Sequence, residues 1–161
     1  MRRVLVTACV LAVSLAACGK KEDSGKPVVA VAPGGVTVKG NDGTATITTG
    51  GGAAVAAAAN LPDYAPLYPG ASVEMSAASA PGDESSVGGT VTYMTNATPQ
   101  QVVDFYKQKS AAKGVPAKMN ANMGAALMFA AADDSGARSV QVIATPAGTG
   151  TNVAVTWASQ K

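Results

Sequence analysis

Histidine is absent from all 161 residues, and cysteine occurs only at positions 9 and 18. Without an imidazole the chain lacks the usual general base near neutral pH and the usual nitrogen ligand for zinc. Charge is sparse as well, with Asp, Glu, Lys and Arg making up 14% of the residues, and no basic cluster provides an electrostatic footprint for nucleic acid or anionic lipid. Long apolar runs are also missing. The N-terminal one, Val4 to Ala17, falls short of the ~20 residues that a membrane helix needs.

That short run follows Met1-Arg2-Arg3, and a basic start before a brief apolar segment reads as a secretion signal and not as a fold element. It ends in Leu15-Ala16-Ala17-Cys18-Gly19, which resembles the lipobox of bacterial lipoproteins. The resemblance implies cleavage before Cys18, acylation of its thiol with palmitate-type chains, and residence in the cell envelope. Gly19 in place of Asp implies the outer membrane, facing the periplasm. One acyl chain holds marginally at ~0.8 kcal/mol per buried methylene, so the two or three chains of a lipoprotein make attachment stable. Processing would remove Cys9, Arg2 and Arg3, leaving ten basic against ten acidic side chains and no thiol pair for an internal disulfide.

The remainder divides by composition. Residues 18–35 begin polar and charged and become rich in Val, Ala, Pro and Gly without a helical or strand period, which predicts a flexible tether. Residues 36–49 place β-branched, alternating runs on both sides of Gly40-Asn41-Asp42-Gly43, the pattern of a β-hairpin. A lone hairpin is marginal in water, so it must either dock on a larger body or stay partly disordered. Residues 50–60 combine three glycines with an alanine run too short for a stable isolated helix, and read as a second linker.

Residues 61–161 are long enough for one domain with its own core. Three prolines bracket Tyr64 and Tyr68, which favours an extended arm held to a surface by its rings. Strands are expected over 72–77, 89–95, 126–131, 139–145 and 152–159. A helix is expected over 99–113: Thr98 and Gln101 form a capping box, Pro99 suits the first helical position, and Gly114 with Val115 provides a left-handed stop. Val140, Val142 and Ala144, like Val153, Val155 and Trp157, alternate with their neighbours and mark one apolar sheet face. The expected architecture is therefore a small α+β fold, β-β-α-β-β-β, with about five antiparallel strands and one helix on one face. Tyr64, Tyr68, Phe105, Tyr106, Phe129 and Trp157 are expected mostly in its core, and any left exposed would mark a partner site.

The Tyr68-Pro69-Gly70-Ala71 element, a hairpin, and Val102-Val103-Asp104-Phe105-Tyr106 on a helix ending at Gly114 resemble a widespread, uncharacterised type of bacterial envelope lipoprotein domain. The resemblance covers residues 61–158 and implies a fold without implying catalytic residues. An aromatic residue is expected after Gly114 in that type, where this chain has Val115.

Candidate chemistry is thin. Asp133 with Asp134, and Asp83 with Glu84, are adjacent carboxylates in Gly- and Ser-containing turn regions, where solvated hairpin tips explain them better than catalysis or calcium. Met75, Met94, Met119, Met123 and Met128 supply thioethers, a Cu(I) donor type, and Met119 and Met123 could share one face of a turn. Packing explains methionines better when no His or Cys supports them. Asn96-Ala97-Thr98 matches a glycosylation sequon but reads as the approach to the helix cap. The expectation is thus a non-enzymatic, lipid-anchored envelope protein with no cofactor, bound to the membrane through Cys18 and to a protein or cell-wall partner. The alternative is a periplasmic Cu(I) or small-ligand carrier using Met119 and Met123.

Overall fold

The structure, a computed structural model, describes residues 28–40, 43–49, 54, 58, 61–81 and 86–160, with residues 80 and 81 described by backbone alone. The strands are β1 (Val28–Ala32), β2 (Gly35–Gly40), β3 (Gly43–Thr49), β4 (Ser72–Pro81), β5 (Ser86–Thr95), β6 (Ala117–Met123), β7 (Ala126–Ala132), β8 (Arg138–Ala147) and β9 (Gly150–Gln160); helix α1 (Pro99–Ala112) lies between β5 and β6. They form one sheet in the order β1-β2-β3-β4-β5-β9-β8-β7-β6. Every neighbouring pair is antiparallel.

This overturns the expected five-stranded α+β fold: the protein is mostly β, a nine-stranded sheet with the single helix α1 among its described elements. Three differences account for the change. The hairpin β2–β3 is continuous with the body, because Thr44 to Thr49 pair with Ala80 to Met75. Strand β1 lies in the stretch expected as tether and pairs with β2 from Val28↔Lys39 to Ala32↔Gly35. Strand β6, Ala-Lys-Met-Asn-Ala-Asn-Met, has no β-branched residue, so its strand state comes from pairing with β7 and not from propensity. Ala54 and Ala58, in the stretch expected as a second linker, are helical and buried. The signal, Cys18, Asn41, Asp42, Asp83 and Glu84 lie outside the described residues.

One face of the body carries the core. Register aligns Tyr93 with Val153 and Ala144, and Val91 with Val155, Val142 and Phe129, all of them buried. Helix α1 covers the β7–β8 part of this face with Val102, Val103 and Tyr106. Its start has both capping bonds: the Gln101 N–H donates to Thr98 Oγ1 at 3.3 Å, and the Thr98 N–H donates to Gln101 Oε1 at 2.9 Å. Its end is a Schellman turn, with Gly114 at φ +72° and the Val115 N–H donating to Ser110 O at 2.9 Å. Val115 is fully buried, so the aliphatic side chain seals the site where an aromatic one was expected.

Residues 61–71 lie against the sheet. The Tyr64 hydroxyl donates to Ala158 O at 2.6 Å, and the Tyr68 ring meets Phe105 edge-on at 4.9 Å. Beneath them the Tyr93 and Tyr106 hydroxyls, both fully buried, hydrogen-bond each other at 2.9 Å. Burial pushes both phenols well above their ordinary range, the pair staying neutral. Tyr93 adds a core aromatic to the six expected from the sequence; Tyr68, Phe105 and Trp157 remain half-buried, and no described aromatic residue is exposed.

Candidate functional site

Helix α1 packs on β7 and β8 and only brushes β6, so a groove opens between the helix and the β6–β7 hairpin. Its volume is about 450 Å³. The helix contributes Gln100, Val103, Asp104 and Lys107, spaced i, i+3, i+4, i+7 and therefore on one face. The sheet contributes Asn120 and Asn122 from β6, with Leu127 and Met128 from β7.

Register explains the amides. Asn120 pairs with Phe129 and Asn122 with Leu127, so both asparagines point to the helix side of the sheet, where the preceding strands place apolar residues. A register shift between Ala117 and Met119 sets this phase. Apolar floor residues thus give way to hydrogen-bonding amides at the edge of the core. Gln100 Nε2 donates to Asp104 Oδ1 at 3.0 Å, which orients one wall. The groove therefore presents amide, carboxylate and ammonium groups above an aliphatic floor. It lies next to β6, whose outer edge has no partner strand among the described residues.

None of the candidates drawn from the sequence lines this groove except Met128. Its sulfur accepts from Gln141 Nε2 at 3.3 Å across the outer face. Met119 and Met123 stand on β6, not in a turn, and are 45% and 50% exposed. Four residues of strand separate them by about 13 Å. The shared face of a turn on which the Cu(I) expectation rests is therefore not formed, and the two side chains stand on one face of an extended strand. Met75 and Met94 lie on β4 and β5.

Asp133 and Asp134 divide into two roles. The Asp133 carboxylate, 12% exposed, accepts from Arg138 Nε at 3.0 Å, the Arg138 N–H at 3.2 Å and Ser135 Oγ at 3.0 Å. Burial alone would raise its pKa, but these donors outweigh that and hold it below the usual carboxylate range. The same guanidinium donates to Lys113 O at 3.0 Å, placing a cation at the negative end of α1. Asp134 makes an exposed ion pair with Lys118 at 3.0 Å. Asp133 thereby ties the β7–β8 turn through Arg138 to the helix end, while Asp134 links that turn to β6. Sequence reading missed Asn120, Asn122 and the Gln100-Asp104-Lys107 stripe; the legible signals were polar residues at helical spacing and an Asn-x-Asn alternation.

No curated protein and no solved structure matches the chain. Residues 73–152, which span β4 to the start of β9 and contain every lining residue of the groove, match a family model described as START domain-like.

Proposed function

We propose that this is a lipid-anchored, non-catalytic envelope protein whose groove between α1 and β6 receives an extended segment of a protein partner. The observation that carries the reading is the meeting of a helix-walled groove with a strand edge that has no partner among the described residues. An extended peptide can add to such an edge through main-chain hydrogen bonds while its side chains enter the groove, a recurring mode of peptide recognition. Asn120, Asn122 and Gln100 can both donate and accept, which suits the backbone amides of a peptide lying along the groove. Asp104 and Lys107 on the wall give a charge pattern that selects among sequences. The anchored reading is supported by Leu15-Ala16-Ala17-Cys18-Gly19, and Gly19 in place of Asp favours the outer membrane, facing the periplasm.

The test is a photoreactive residue at Gln100, with one at Gln141 on the opposite sheet face as control, irradiated in intact envelopes. A discrete protein adduct at position 100 that position 141 does not give supports the reading. An adduct of sacculus size that a muramidase releases transfers the site to a cell-wall glycan, for which the same amides are also suited. Equal labelling at both positions overturns the site.

A further inference from the structure

Strands β1–β3 present an exposed apolar face that no described residue covers. Register puts Val29, Val38 and Ala45 in one cross-strand row, and Val31, Val36 and Ile47 in the next. Pairing continues the second row from Ile47 through Ala77 to Thr90 and Thr156, opposite to the core row of Val91 and Val155. These six aliphatic side chains are therefore on the outer face. Exposure reaches 77% at Val31, 56% at Val29 and 49% at Ile47. No charged residue interrupts them, since Lys39 pairs with Val28 and Thr44 on the other face. None of the six carries a side-chain hydrogen-bonding group, so an apolar surface without matching donors and acceptors satisfies the patch.

We infer that this face rests on the lipid surface to which Cys18 attaches the chain, a conclusion that depends on the anchored reading above. The length of chain chooses the occupant. Only ten residue steps separate Cys18 from Val28, a root-mean-square reach of about 17 Å for a flexible linker and at most ~35 Å when fully extended. With β1 beginning at Val28, the tether is shorter than the 18–35 stretch expected from composition, and β1–β3 is the part of the domain held nearest the headgroups. An uncharged aliphatic face at that distance lies in the interfacial layer, where apolar side chains gain from leaving water. A second copy pairing at the β1 edge, which has no partner strand among the described residues, is the competing occupant.

The processed chain has no thiol except the acylated Cys18, so introduced cysteines report their own surroundings. Val36→Cys, with Thr156→Cys on the outer face of the body as control, is labelled with a membrane-impermeant maleimide in isolated membranes and again in detergent. Docking predicts labelling at position 36 at least tenfold slower in membranes than in detergent, and equal rates at position 156. Equal rates at position 36, with the protein in the membrane pellet, overturn docking and leave the anchor standing. Protection that persists in detergent, or an oxidant-induced crosslink between two copies at position 36, overturns the lipid surface in favour of a protein one. Recovery of the protein in the soluble fraction without incorporated palmitate overturns both the anchor and the docking.

Discussion

Strands β1–β3 and β4–β9 belong to one sheet and share one alternation, yet they distribute polarity in opposite ways. In the body, Val91, Tyr93, Val142 and Val155 face the helix, while Thr90, Gln141 and Thr156 face out. In β1–β3 the side continuous with the core carries Thr37, Thr46 and Thr48 with Val28 as its one valine, and the outer side carries Val29, Val31, Val36, Val38 and Ile47. Alternation therefore identifies two faces without saying which is inside. That depends on what covers each face, and helix α1 packs chiefly on β7 and β8, with Tyr106 reaching Tyr93 on β5.

The largest test of this contrast is truncation. Phe129→Ala removes a fully buried ring beneath α1 and should cost about 3–5 kcal/mol. Ile47→Ala, in a side chain 49% exposed, should cost under about 1 kcal/mol. Denaturant titration of both variants measures the difference, and equal losses would mean that β1–β3 shares the core.

Adding atoms makes a second comparison. A Cβ at Gly89 in β5 would sit 2.5 Å from Ala77 O and 3.3 Å from the Trp157 ring, whereas one at Gly40 in β2 meets nothing within 4 Å. Gly89→Ala should lower stability by roughly 1–3 kcal/mol, and Gly40→Ala should stay within about 0.5 kcal/mol of wild type. Thermal melting separates the two, and a neutral Gly89→Ala would show that β4 and β5 can move apart.

The tyrosine pair makes a finer one. Tyr106→Phe leaves the buried Tyr93 hydroxyl without its partner and should cost about 1–3 kcal/mol. Phe at both positions should recover part of that loss, because no buried hydroxyl remains unpaired. A double variant as unstable as the sum of the singles would show that the two hydroxyls act independently.

The smallest expected effect is on acid stability. Asp133 is held below the ordinary carboxylate range in the native state, so the unfolded chain takes up its proton first as pH falls. Its contribution is therefore present above about pH 4 and disappears as pH drops through the lowered native value. Asp133→Asn should flatten the acid limb of the stability curve while leaving its dependence near neutrality unchanged. An unaltered acid limb would mean that Arg138 holds the helix end without help from this carboxylate.

Local chemistry was legible wherever a short window contained its own partners. Thr98, Pro99 and Gln101 mark the start of α1, and Gly114 with Val115 marks its stop, because capping bonds close within six residues. The inward set Val140, Val142, Val153 and Val155 was likewise readable, since a strand buried on one face repeats every second residue. The groove was not readable. Asn120 and Asn122 become groove residues only because a register shift phases β6 against β7, and because α1 stops short of that edge.

By itself the sequence determined the helix and its ends, the apolar alternation of β8 and β9, and the absence of imidazole chemistry, all of which depend on residue identity within a turn or two of the chain. Tertiary structure alone decided that β1 and β6 are strands, that the N-terminal hairpin extends the sheet, and that its valines face away from the core. The reason is physical: pairing of β5 with β9, or of β3 with β4, joins segments distant in sequence, and which face is buried follows from those partners and not from the alternation itself.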